Sequence, residues 1–138
     1  MGSSEVTQDT KQTHGRALVV EDEEPLRRAY GRMLEGAGFT TILAASGREA
    51  MEAIEKDAVD VVVSDINMPN MNGFELLRQI RAQPEFRTLP VLMVTAEAKK
   101  EDIVNAAQCG ASGYIVKPFT KATLEEKVAK IISKMQPQ

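Results

Sequence analysis

The chain has 138 residues, 43% hydrophobic and 27% charged, with a net charge of −3 and one cysteine. That length suits one domain around one core, and the single Cys109 excludes an internal disulfide framework. There is no run of Lys and Arg to suit nucleic acid or a membrane surface, and no apolar stretch of the roughly 18 residues that cross a bilayer.

The opening stretch, Met1 to Gly15, is polar, contains no aromatic residue and has neither helical nor strand periodicity. It cannot bury enough surface to order itself and is expected to be a flexible tail preceding a domain over 16–138. MGSSEVTQDTKQTHGR also lacks the apolar segment of a secretory signal, so a cytoplasmic monomer is expected. His14 is the only histidine. The folded part therefore has no histidine triad, histidine-based zinc site or internal histidine phosphodonor.

From Arg16 onward, short apolar runs alternate with segments of helical period. The predicted strands are Ala17–Val20, Thr40–Ala44, Val59–Ser64, Pro90–Thr95 and Gly113–Val116. The first amphipathic segment sets Leu26, Ala29, Tyr30, Met33, Leu34 and Ala37 on one face, and the last does so with Leu124, Val128, Ile131, Ile132 and Met135. Pro25 suits a first helical turn, Ser46 with Glu49 predicts a capping box, and Gly36 with Gly38 ends the first helix. The order is β-α repeated five times. Strands apolar on both faces belong inside a parallel sheet with helices on each side, and right-handed crossovers then give a doubly wound α/β fold, a (βα)5 three-layer sandwich.

In such a sheet the working crevice lies beyond the carboxyl ends of the strands. The first strand leads into Glu21, Asp22, Glu23 and Glu24, the third delivers Asp65, the fourth Thr95, and the fifth Lys117 before Pro118. The second contributes only Ala45 and Ser46. If the first and third strands are neighbours, the carboxylates of Glu21, Asp22 and Asp65 converge, which is costly unless a cation or a proton shares the site. Oxygen ligands without cysteine or histidine indicate magnesium or calcium, and so few carboxylates suit magnesium, which keeps several waters.

Taken singly, each residue has an ordinary role. Acids before Pro25 stabilise a helix N-terminus by a few tenths of a kcal/mol, up to about 1. Asp65 is a turn or capping residue, MPNMNG is a loop, Thr95 caps the following helix, and Lys117 is a solvated charge. Met68, Met71 and Met93 read as packing and turn residues rather than a thioether metal site. The joint pattern is what stands out: acid, acid, hydroxyl and amine at four strand exits of one crevice.

VVED at Val19–Asp22, SDINMPNMNGFELL at Ser64–Leu77, VTA at Val94–Ala96 and VKPF at Val116–Phe119 resemble, in order and spacing, the signatures of the receiver domain of bacterial two-component response regulators. The likeness runs from Arg16 to Met135, and the segment from Leu89 to Lys130 is similar to the chemotaxis members in particular. The resemblance implies a five-stranded parallel sheet in the order 2-1-3-4-5, as in flavodoxin-like folds. It implies that Asp65 accepts a phosphoryl group from a phosphohistidine on a sensor histidine kinase or phosphotransfer protein. Asp22, Asp65 and the backbone carbonyl of Asn67 would hold Mg²⁺, with Glu21, which replaces the Asp of the chemotaxis members, acting directly or through water. Lys117 and the Thr95 hydroxyl would contact the phosphoryl oxygens, and Lys117–Pro118 resembles the family's cis peptide.

The same resemblance makes Thr95 and Tyr114 switch residues that reshape the surface of the fourth helix, fifth strand and fifth helix. It sets Asn67 and Glu97 beside the path of the hydrolytic water, where they tune the lifetime of the phosphoryl group. Ala98, Lys100, Tyr114 and Lys127 stand where the chemotaxis members engage the flagellar motor switch. Such a protein is not an enzyme in the ordinary sense. A stand-alone phosphorelay shuttle, or a receiver from a larger regulator, is the nearer alternative. Only MQPQ follows Lys134, so the output is expected to pass through protein contacts. A magnesium-dependent phosphohydrolase of the haloacid dehalogenase pattern needs an acid two residues after the nucleophile, where this chain has Asn67. A flavodoxin-like cofactor binder needs a Gly-rich phosphate loop after the first strand, where this chain has four acids.

Overall fold

A computed structural model of the protein describes residues 15–96 and 99–135. The expected tail up to His14, Glu97, Ala98 and the side chain of Met135 lie outside the described residues. Gly15, just ahead of the first strand, has φ 93°, and its carbonyl accepts the N–H of Thr40 at 2.9 Å.

The elements run β1 (Arg16–Val20), α1 (Glu24–Gly36), β2 (Thr40–Ala44), α2 (Gly47–Lys56), β3 (Val61–Asp65), α3 (Gly73–Ala82), a 3-10 turn (Pro84–Phe86), β4 (Val91–Thr95), α4 (Lys100–Cys109), β5 (Gly113–Val116) and α5 (Lys121–Met135). All strand pairs are parallel, and the sheet order is β2-β1-β3-β4-β5. This is the doubly wound (βα)5 fold in the order 2-1-3-4-5 that the sequence implied.

Alternate residues of the central strands face opposite layers, as a period of two requires. Leu18, Val20, Val62 and Met93 point into one core with Ala50 and Ile54 of α2, Leu76, Leu77 and Ile80 of α3, and Ala106 of α4. Ala17, Val19, Val61, Val63, Leu92 and Val94 point into the other, with Tyr30 and Leu34 of α1 and Leu124, Val128 and Ile131 of α5. The expectation of strands buried on both faces holds for β3 and β4 throughout. It fails at the edge strand β2, where Leu43 is 44% exposed.

β3 begins two residues later than predicted and ends one later. Asp60 is drawn off to cap the start of β1: its carboxylate accepts the Arg16 N–H at 2.8 Å and its own N–H goes to the Arg16 carbonyl. β4 starts at Val91, since Pro90 has no N–H to donate and offers only its carbonyl, to Val62 at 2.9 Å. Pro25 lies in the first turn of α1, and beyond Gly36 the chain turns through Gly38 at φ 102°. At α2 the Ser46 hydroxyl accepts the Glu49 N–H, but the Glu49 carboxylate takes the N–H of Ala45 rather than of Ser46, so the predicted capping box closes one residue early.

Candidate functional site

Parallel pairing of β1, β3 and β4 brings three strand exits side by side, with Val20 level with Ser64 and Asp65 level with Val94. Side-chain oxygens of Glu21, Asp22 and Asp65 gather within 4.8 Å of one another. Glu21 is fully buried and Asp65 is 4% exposed, while Asp22 faces solvent. Lys117, carried past the end of β5, sets its ammonium 3.3 Å from Asp65 Oδ1 and 3.6 Å from Glu21 Oε1. Its backbone N–H donates to the Thr95 carbonyl at 2.8 Å, which ties the β5 exit to the β4 exit. The Lys117–Pro118 peptide is cis, as the resemblance implied.

Charge balance in this crevice is incomplete. Glu21 Oε1 and Asp65 Oδ1 are buried and lack a hydrogen-bond partner among the described residues. They are in ion-pair range of one ammonium, so two carboxylates share one positive charge. Burial pushes the Glu21 carboxyl from 4.5 up to about 7, against the pull of the Glu23 N–H, and the nearby Asp65 charge pushes it the same way. Burial also raises Asp65, more than Lys117 lowers it. For Lys117 burial acts downward, but Asp65 and Glu21 together outweigh it and raise its pKa. An all-oxygen donor set, two buried carboxylate oxygens that share one ammonium, and an excess of negative charge fit a small hard cation such as Mg²⁺.

Local structure aims these groups. The Glu23 N–H donates to Glu21 Oε2 at 3.1 Å, and the Arg27 guanidinium donates to the carbonyls of Glu21 at 2.8 Å and Asp22 at 3.4 Å. After β3 the chain turns through Asn70 at φ 71°, and the Gly73 N–H returns to the Ile66 carbonyl at 2.8 Å. A Cβ on Gly73 would lie 2.4 Å from the Asp65 carbonyl and 2.9 Å from Ile66 Cα, so only glycine lets α3 start this close to the acceptor strand. Asn72 and Glu75 close a reciprocal capping box over that start. Arg27, Gly73 and this box were not recognised in the sequence. The Asn72-x-x-Glu75 spacing signalled the box, whereas nothing local separates Arg27 from a solvated charge.

Of the residues singled out by sequence, Glu21, Asp22, Asp65 and Lys117 converge, and Thr95, 4% exposed, ends the adjoining strand. Asn67 is exposed on the loop two residues past Asp65. Tyr114 and Lys127 form a separate pair, the ammonium 5.5 Å from the ring centroid, with Tyr114 half-buried and level with Met93. Lys100 is exposed at the start of α4. Met68 and Met93 are buried in the core, and Met71 packs against it beside Gly47, as expected of packing residues.

Residues 17–129 match the response regulator receiver domain family. The chain is 49% identical over 121 residues to chemotaxis protein CheY-3 of Vibrio cholerae, spanning 87% of this chain and 93% of that protein. It is 45% identical over 121 residues to chemotaxis protein CheY of Pseudomonas aeruginosa, spanning 87% of this chain and 98% of that protein. The solved structure of Vibrio cholerae CheY4 superposes with a TM-score of 0.82 at 36% identity, covering 85% of this chain and 98% of that one. The signal receiver domain of a histidine kinase from Syntrophus aciditrophicus gives 0.81 at 32% identity, covering 90% and 94%. With matching motifs, strand order and acidic crevice, the chain belongs to the response regulator receiver domain family.

Proposed function

We propose that this receiver is a phosphorylation-controlled switch of chemotaxis whose acceptor is Asp65. The observation that carries this reading is the crevice itself, where a nearly buried Asp65 meets the Lys117 ammonium at 3.3 Å beside a second buried acid. Phosphoryl transfer asks for an in-line nucleophile and preorganised positive charge on the equatorial oxygens, and little else. An Asp65 carboxylate oxygen attacks phosphorus as the P–N bond of a phosphohistidine on a sensor kinase or phosphotransfer protein breaks. The electron pair returns to the imidazole, and an acyl phosphate forms on Asp65. Lys117 meets the new charge on the phosphoryl oxygens, and the Thr95 hydroxyl contacts another. Asp22, Asp65 and the Asn67 carbonyl, with Glu21 directly or through water, would hold Mg²⁺, which when bound supplies further charge at those oxygens.

The chain takes one phosphoryl group per cycle and loses it slowly to water, so it is not a turnover enzyme. Asn67 and Glu97 tune that loss. The output surface runs over α4, β5 and α5, where Tyr114 and Thr95 report the state of Asp65, and Ala98, Lys100, Tyr114 and Lys127 meet the partner. A flagellar motor switch protein is the partner proposed, because the relatives in Vibrio cholerae and Pseudomonas aeruginosa are named as chemotaxis proteins. Intact mass after incubation with acetyl phosphate and Mg²⁺ tests the acceptor. One added phosphoryl group is expected on the parent, none on Asp65→Asn, and no label in EDTA; equal labelling of the mutant would rule out Asp65.

A further inference from the structure

We infer that Tyr30 is a positioning residue for Lys117, holding the ammonium over the carboxylates by stacking its ring on Phe119. This rests on the reading of Asp65 as acceptor and concerns a residue outside the crevice. Lys117 sits in a four-residue connection between β5, which ends at Val116, and α5, which starts at Lys121. Pro118 and Thr120 in that connection are exposed, so Phe119 is its apolar anchor. Thr120 anchors the far end, its hydroxyl accepting the Thr123 N–H at 3.2 Å as α5 begins.

The Phe119 ring meets Tyr30 with centroids 4.9 Å apart and planes inclined by 31°. Such a tilted contact suits two aromatic quadrupoles. Tyr30 is 6% exposed and shares its core with Leu34, Leu124 and Val128, so it is a fixed wall and not a mobile flap. It belongs to α1, the helix that starts just after Glu21 and Asp22 and whose Arg27 grips their carbonyls. One helix therefore braces both sides of the site, the acids through Arg27 and the lysine connection through Tyr30. The phenol also lies within the field of the crevice: burial raises its pKa, and the Lys117 charge opposes that rise.

A leucine at position 30 fills the core without stacking, and a phenylalanine stacks without the hydroxyl. Catalytic rates are sensitive to displacements of the order of 1 Å. With acetyl phosphate and saturating Mg²⁺, Tyr30→Leu is expected to lower the maximal labelling rate by about tenfold and to change the half-saturating donor concentration less than about twofold. Tyr30→Phe should match the parent in both. Hydrogen exchange supplies a readout independent of labelling: the Lys117 amide, bonded to the Thr95 carbonyl, should exchange faster in Tyr30→Leu, while the Val62 amide, bonded to the Pro90 carbonyl, should not. A leucine variant that labels at the parental rate overturns the inference. So does faster exchange shared equally by Val62, which means general loosening, or a phenylalanine variant as slow as leucine, which means the hydroxyl acts and the stack does not. If the parent itself takes no phosphoryl group, the acceptor reading fails alone, and the exchange comparison still decides whether Tyr30 holds Lys117.

Discussion

Glu21 is the costliest residue of the crevice, a fully buried carboxyl at the end of a central strand whose Oε1 has only a share of the Lys117 ammonium, at 3.6 Å. Burial raises it from 4.5 to about 7 and raises Asp65 in the same direction. The metal-free folded chain thus binds protons more tightly than the unfolded chain across that interval. The stabilising contribution of Glu21 is complete below pH 4.5 and is lost as the pH rises through about 7. In EDTA, the urea midpoint of the parent should therefore fall between pH 5 and pH 7.5 by more than that of Glu21→Gln; parallel curves would contradict the assignment. Glu21, Asp22, Asp65 and Lys117 could be picked from the sequence because each stands at the end of an apolar run. Arg27 could not, since its partners are backbone carbonyls whose direction is set only once β1 turns into α1.

The start of α3 shows how an element delivers a residue. Gly73 lets the helix press on the end of β3, and Asn72 with Glu75 satisfies the first N–H groups of the turn. Replacing Gly73 with alanine drives a Cβ into the Asp65 and Ile66 backbone, which cannot rotate away as a side chain can. Overpacking of this kind costs about 1–3 kcal/mol. Gly73→Ala should lose stability in that range by urea unfolding and also slow Asp65 labelling. Asn72→Ala should cost about 1 kcal/mol, as for other lost caps, and leave labelling nearly unchanged. An alanine at 73 that keeps parental labelling would mean that the close approach does not aim the acceptor. The capping box was legible in the Asn72 to Glu75 spacing. The need for glycine was not, because the atoms it avoids belong to a neighbouring strand.

Across the whole molecule, the crevice lies at the carboxyl end of the sheet, where the β1, β3 and β4 exits meet and the β5 connection folds over them. The Lys117 N–H to Thr95 carbonyl bond and the Tyr114 to Met93 register join that end to the β4–β5 side, while β2 lies beyond β1 on the other side. Beryllofluoride with Mg²⁺ should consequently shift the amide signals of Thr95, Tyr114 and Lys117 more than those of Thr40–Ala44. It should also tighten binding of a flagellar motor switch peptide, with that gain lost in Lys127→Ala; shifts led by β2, or peptide binding indifferent to beryllofluoride, would reject this output surface. Alternating apolar and helical segments determined the five βα units by themselves, and the motif residues named the acids and the lysine, because periodicity and strand-end position are local properties of the chain. Only the tertiary structure decided that Leu43 lies on an open edge, that Glu21 is buried and Asp22 is not, and that Tyr30 reaches Phe119. Burial, shared charge and stacking arise between segments far apart in sequence, and they exist only after the sheet has set those segments side by side.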